Sequence, residues 1–459
     1  ALVRLSTKKM RLSYKFLLAN ILIGAIGGAI CIVFRYLIYF VNNIRLNIFQ
    51  RDNLTDFQRI INNNITFSDI GIIILKYFAV FILTIIFLNI VNIMVKKFPT
   101  TSGSGLPQTK ALLERKISYK SPFKNILVKF FGGILSITSG LSFGREGSSV
   151  QMGSLIGFIL GRILKVEKEN ENYLIAAGAG AGISAAFTAP LASSILIMES
   201  LKNENTSDIK KLTISTLLSG LCAGLLAILF FPNNIYSSIS TAKPDLNDYQ
   251  LFIVFLLMAL FFSIIGKIFS KIFIYIKLRY INFQVRHDRH YCLIALMICG
   301  ITFFYPSLIG GNQVFTLEII ENNSFGIWGN LLTIIVLATI TIISNATGFP
   351  GGVFIPLLTI GGILGKIFCI LLSEFDIVTL SNTGYFVLIG MSVFFISVVR
   401  TPLTGFILIS EMTGNYEIMF PTLVVGILAY IITEILKVRP LDDILYDMMI
   451  KEINTDSSC

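Results

Sequence analysis

"GREGSSVQMGSLIGFILGRIL" occupies residues 144–164, and sliding the chain by 204 residues lays it without a gap on "GFPGGVFIPLLTIGGILGKIF" at 348–368. Gly144, Gly147, Gly157 and Gly161 fall on Gly348, Gly351, Gly361 and Gly365. A second match, at a shift of 212, sets "APLASSILIMES" from Ala189 on "TPLTGFILISEM" from Thr401. There Pro190, Leu191, Ile195, Leu196, Ile197 and Glu199 recur as Pro402, Leu403, Ile407, Leu408, Ile409 and Glu411. Coincidence of glycines would account for the first match alone; two matches in the same order point to a duplication. Repeated halves are typical of transporters, whose substrate binds near the bilayer midplane where the halves meet. The sequence by itself leaves the relative orientation of the halves open.

The composition fixes the medium. The chain has 459 residues, 54% hydrophobic and 14% charged, with a mean hydropathy of +0.78, whereas a soluble chain is roughly a quarter charged. Runs free of Asp, Glu, Lys and Arg cover 16–34, 77–95, 172–198, 212–242, 249–266, 291–316, 325–365, 377–399 and 418–433. A spanning helix needs about 20 apolar residues, so several runs suffice for one pass and 325–365 for two. These lengths predict an all-α integral membrane protein; a barrel would show alternating strands of about ten residues. The first run is too long, and too well followed by others, for a cleaved signal peptide.

The net charge of +11 does not imply nucleic acid, because the bases cluster between apolar runs. They sit at Lys8, Lys9, Arg11 and Lys15, from Lys110 to Lys124, at Lys202, Lys210 and Lys211, around Arg286 and Arg289, and at Lys437 and Arg439. Segments 312–327 and 370–385 carry acids and no base. The positive-inside rule therefore places both termini in the cytoplasm and those two loops outside. Five of the six cysteines, Cys31, Cys222, Cys292, Cys299 and Cys369, lie in or beside apolar runs without CxxC spacing, and Cys459 is terminal. They read as small core residues. His287 and His290 form an HxxH in a basic loop, more in keeping with a solvated face than with a metal site. Asn53 and Asn64 begin Asn-x-Ser/Thr triplets of the kind expected by chance in an Asn-rich chain. No cofactor is expected.

Breaks inside the apolar runs carry the functional signal. Gly and Pro interrupt the chain at "TSGSGLPQ" (101–108), "GREGSS" (144–149) and "GFPGGVFIP" (348–356), each followed by a helical stretch. Irregular backbone at membrane depth is tolerated only where it is buried in protein or lines a cavity. Helix N-termini bear unsatisfied N–H groups and partial positive charge, so three together make an anion site without a full cation. Such a site binds an anion and still releases it. Ser104 adds a hydroxyl donor. One break would pass for an ordinary kink or helix contact; three, two of them repeat-related, would not.

The motifs "GSGLP" at 103–107, "GREGS" at 144–148, "GGVFIP" at 351–356 and "RTPLTGFILISEMTGNY" at 400–416 resemble, in order and spacing, the CLC chloride channels and proton/chloride antiporters. The resemblance runs from about residue 15 to 450. It implies two inverted halves of tilted and broken helices, and a homodimer in the lipid bilayer with an anion pathway in each subunit. The implied layout is a cytoplasmic segment 1–15, a first half 16–230, a connecting loop 231–248, a second half 249–450 ending in a cytoplasm-facing helix, and a tail 451–459 without CBS domains. A bacterial inner membrane is the expected location. Ser104 and the N–H groups of Val353 and Phe354 would bind chloride, and Glu146 would be the gating glutamate. Ser148 departs from the proline common in the family.

An ionised Glu146 is itself an anion, so it would occupy and block the site meant for chloride, and protonation would open the path. Burial opposes ionisation and N–H donors favour it, so their balance makes the group responsive to pH. A structural pairing with Arg145 is the weaker reading, because adjacent helical side chains do not face each other.

Two departures bear on mechanism. Where proton-coupled members of the family carry an inner glutamate, the alignment places Ser200, which cannot hold a proton as an acid would. The neighbouring Glu199, about 100° away around the helix, reads at least equally as structural. The inner tyrosine that closes the chloride site maps on Tyr446 by its "YDMM" context or on Asp442 by counting from Pro440; Tyr446 is favoured, because a phenol donates to chloride and a carboxylate repels it. The expected function is chloride transport gated by Glu146, channel-like or weakly proton-coupled, with a proton-coupled antiporter lacking the inner glutamate as the alternative. A membrane enzyme holding a phosphate-bearing substrate is a distant third, since the chain has no GxxxxGK[ST], no HExxH and no acid cluster for magnesium in its apolar regions.

Overall fold

The computed structural model describes residues 14–51, 54–61, 67–201, 206–232, 239, 241–286, 290–311 and 326–456. Lys8, Lys9, Arg11, Asn53, Asn64, Lys202, His287, Arg289, Cys459 and nearly all of the acidic loop 312–327 lie outside the described residues. The described chain is helical apart from a two-residue antiparallel ribbon, Gln50–Arg51 on Leu54–Thr55.

The first half holds α1 (Tyr14–Phe49), α2 (Asp56–Ile61), α3 (Phe67–Lys97), α4 (Leu106–Leu113), α5 (Pro122–Thr138), α6 (Glu146–Ile163), α7 (Glu171–Phe187), α8 (Pro190–Ser200) and α9 (Ile209–Phe230). The second holds α10 (Asp248–Arg286), α11 (His290–Phe304), α12 (Ile327–Ala346), α13 (Phe354–Glu374), α14 (Thr383–Val399), α15 (Pro402–Thr413) and α16 (Met419–Ile435). A polar helix, α17 (Leu441–Asp456), follows. Among the described residues seven helices, α1, α3, α9, α10, α12, α13 and α14, contain stretches long and apolar enough to cross a membrane. At 1.5 Å per residue the 36 residues of α1 reach about 54 Å, well over the roughly 30 Å of hydrocarbon, so α1 has length to spare for tilting or for projecting beyond the bilayer core. The 8 residues of α4, 11 of α8 and 12 of α15 are too short to cross. Proline at the first or second position starts each of the three, where its missing N–H costs nothing.

The centre is built from small residues. Helices α6 and α7 are buried almost throughout, and they cross with backbones touching: a Cβ on Gly153 would run into the Gly178 carbonyl, and one on Gly178 into that of Gly153. Helices α13 and α14 repeat this crossing through Gly361 and Gly390, and of the glycines that revealed the duplication Gly157 meets the Leu174 carbonyl, Gly361 that of Gly390 and Gly365 that of Phe386. This small-residue approach is the usual means of close packing in lipid.

The two halves are inverted. Helices α6 and α13 meet N-terminus to N-terminus, where the Gly144 N–H donates to the Gly352 carbonyl at 2.8 Å and the Gly352 N–H to the Gly144 carbonyl at 2.7 Å. Helices α8 and α15 exchange caps. Glu199 accepts from the N–H groups of Leu403 (3.0 Å) and Thr404 (2.9 Å) and from the Thr404 hydroxyl (2.6 Å). Reciprocally, Glu411 accepts from Leu191 (3.1 Å) and Ala192 (2.8 Å). The repeated glutamates are thus structural, each satisfying orphan donors at the other helix's N-terminus. Glu199→Ala or Glu411→Ala is expected to cost about 1–2 kcal/mol, the scale of a lost N-cap. A lowered midpoint of thermal unfolding in detergent checks this; an unchanged midpoint in both variants would dismiss the exchange as a stabilising feature.

Candidate functional site: converging helix ends

The three breaks seen in the sequence converge. The Gly103 N–H donates to the Gly348 carbonyl at 2.8 Å, and the Gly351 N–H returns to the Gly103 carbonyl at 3.4 Å. With the Gly144 and Gly352 pair, these bonds tie the starts of α4, α6 and α13 into one buried knot, satisfying backbone groups that lipid could not.

Glu146 is the first residue of α6, 1% exposed, yet its carboxylate serves the other half. Its Oε1 accepts from the N–H of Phe354 at 2.7 Å and of Ile355 at 3.3 Å, the first two residues of α13. An anionic side chain thus occupies the positive end of a helix dipole. Oε2 is buried and has no hydrogen-bond partner among the described residues. Arg145 turns away, its Nε and Nη2 donating to the Ala186 carbonyl near the C-terminus of α7 at 2.9 and 2.7 Å.

Ser104 precedes Gly105, the cap of α4, and is 5% exposed. Its hydroxyl has no partner among the described residues. The sequence reading had paired Val353 with Phe354 at the chloride site; the donors to Glu146 lie one residue further along, and Val353 caps α13 from the preceding position. Ser104 lines a cavity of about 510 Å³ shared with Lys96, Lys277 and Asn345. Ser200, at the end of α8, lines another of about 160 Å³. Pro107 borders both, so the two cavities flank the start of α4.

The Tyr446 hydroxyl donates to Glu114 Oε2 and accepts from Lys116 Nζ at 2.9 Å, anchoring α17 to the far end of α4. Asp442, one turn earlier, lines the smaller cavity.

Lys129 is a residue that the sequence reading missed. Fully buried on α5, it donates to the carbonyls of Thr101 at 3.0 Å and Gly103 at 2.7 Å, fastening the loop that carries Ser104. A lysine among apolar residues was the available signal, since an intramembrane cation is a functional candidate by default. His290 is 6% exposed and packs on Tyr291 with ring centroids 3.9 Å apart, so it is a packed histidine rather than part of a solvated face. No group of three or more His, Cys, Asp or Glu that could hold a metal occurs among the described residues.

The chain matches the family model for voltage gated chloride channels over residues 86–434. It is 26% identical to an H(+)/Cl(-) exchange transporter, ClcA, of Vibrio cholerae over 443 residues, 94% of this chain and 89% of that protein. A ClcA exchange transporter of Yersinia pestis is 30% identical over 355 residues, 76% of this chain and 73% of its own. In three dimensions the fold matches a slow cyanobacterial Cl-/H+ antiporter with a TM-score of 0.81 and 25% identity, covering 96% of this chain and 99% of that one. These matches set aside the enzyme reading, and together with the inverted halves and the converging helix ends they place this chain in the voltage gated chloride channel, or CLC, family of integral membrane transport proteins.

Proposed function

We propose that this CLC protein exchanges chloride for protons, with Glu146 as a protonatable blocker of the anion path. The observation that carries the reading is the seat of the Glu146 carboxylate on the N–H groups of Phe354 and Ile355. A carboxylate there competes with chloride for the same donors; once protonated it loses the charge that holds it and yields the position. The Val353 amide and the Ser104 hydroxyl, which has no protein acceptor among the described residues, remain for chloride, and the Phe354 amide joins them once a protonated Glu146 gives it up. Chloride would bind there, held by dipoles and a hydroxyl without a full cationic contact, tightly enough to enter and weakly enough to leave.

The relatives' names, H(+)/Cl(-) exchange transporter and Cl-/H+ antiporter, support exchange. Channel-like movement is the second reading, favoured by Ser200, which cannot carry a proton where an inner acid is expected. The CLC resemblance further supports a homodimer in a bacterial inner membrane, and the clusters of bases between apolar runs support cytoplasmic termini.

The test is a flux assay in liposomes. With a chloride gradient imposed and voltage clamped by a potassium ionophore, chloride movement is expected to drive protons the opposite way, against their own gradient. Chloride flux without proton movement would establish the channel-like reading instead.

A further inference from the structure

The smaller cavity is bounded by Pro107 of α4, Ser200 of α8, Thr401 before α15 and Asp442 of α17. Its other charged neighbours are committed elsewhere. Glu199 caps α15. Arg400 donates to the Val438 carbonyl at 3.0 Å and pairs with Glu434. Lys110 pairs with Asp443 at 2.6 Å. Asp442 differs: both carboxylate oxygens are buried, and neither has a hydrogen-bond partner among the described residues.

Preference for an acid in the first turn of a helix explains why Asp is found at the start of α17. It does not explain why that acid should turn inward and forgo donors, since a buried polar group left without a partner is destabilising, and a charged one more so. A carboxyl held in that way earns its place if it exchanges a proton.

We propose that Asp442 is the inner proton-exchange group of this chain, facing across the cavity the position where Ser200 lacks an acid. The acid has moved from α8 to α17 while keeping the same cavity. The inference rests on the exchange reading above. In the step it performs, the O–H bond of protonated Asp442 breaks and an O–H bond forms on the Glu146 carboxylate, leaving Asp442 ionised and Glu146 neutral. Net charge within the protein is unchanged by that transfer. Asp442 then takes a new proton from the solution on the side of α17.

The charges around Asp442 suit this role. Burial first, then the charges of Asp443 on its own helix and Glu146 on α6, push Asp442 up to about 7, against the pull of Lys110 on α4. It is therefore protonated below that range and ionised above it. As pH on the α17 side rises through about 7, the supply of protonated Asp442 falls, and coupled turnover should fall with it.

The test uses the full chain in liposomes under the clamped chloride gradient, comparing Asp442→Asn, Asp442→Glu and Asp447→Asn with the wild type; Asp447 is a half-exposed acid of the same helix paired with Arg439. Chloride flux and proton movement are recorded together. Asp442→Asn is expected to keep passing chloride while proton pumping falls at least tenfold. Asp442→Glu should retain pumping, and Asp447→Asn should leave the ratio of chloride to protons unchanged. A merely structural Asp442 would lower both fluxes in proportion, which overturns the assignment. So does pumping by Asp442→Asn at the wild-type ratio, with the exchange reading intact. A wild type that passes chloride and pumps no protons overturns the exchange reading and this assignment with it.

Discussion

Glu146→Gln is expected to make chloride flux nearly independent of external pH and to abolish proton pumping. The glutamine side chain fits the same space, but it carries no charge to be held by the α13 amides. A hydrogen bond to a charged group is worth about 1.5–3 kcal/mol against roughly 1 kcal/mol for a neutral one. The loss of about 0.5–2 kcal/mol weakens occupancy of the seat by roughly 2- to 30-fold, and its amide group cannot regain the charge at any pH. In the wild type, lowering pH protonates the carboxylate and opens the path, so flux should rise on acidification; in the variant the profile should be flat and high. Liposome efflux measured across external pH checks both. A variant that retains the wild-type profile would assign gating to another group, whatever the fate of Asp442.

The second large effect is expected at Gly147, two residues into the helix that Glu146 begins. A Cβ there would press on the Ser104 carbonyl, and a Cβ on Gly105 would press on the Gly147 carbonyl. Both obstacles are backbone, which cannot rotate away as a side chain would. Gly147→Ala must therefore push the start of α4 from that of α6, displacing Ser104 relative to the α13 amides. Overpacking of this kind costs about 1–3 kcal/mol, and chloride flux should fall by roughly one to two orders of magnitude, since 1.4 kcal/mol is tenfold. Gly300→Ala on α11 is the control, because a Cβ there meets nothing within 4 Å. Equal flux in the two variants, at equal yield of folded protein, would show that the contact between α4 and α6 does not set the anion site.

The medium, the duplication and the ingredients of the site are legible along the chain. Long uncharged runs dictated apolar helices, many of them of spanning length, and the three Gly and Pro breaks became the starts of α4, α6 and α13. These features are local: hydropathy, helix breaking and the spacing of repeats are read along the chain without knowing what lies beside it. Which helix terminus faces which emerges only on folding. That the Glu146 carboxylate serves a helix beginning 208 residues later follows from inversion of the halves, as does the exchange of caps between Glu199 and Glu411. Asp442 and Tyr446 show the boundary most clearly. They lie four residues apart on one face of α17, separated by about one helical turn of 5.4 Å, and a helical repeat cannot say which turn reaches the cavity. Only the contact of α17 with α4 brings Tyr446 to Glu114 and Lys116 and leaves Asp442 lining the smaller cavity. Lys129 is the converse case, a charge visible in the sequence whose partners, the carbonyls of Thr101 and Gly103, exist only once the loop before α4 has folded against α5.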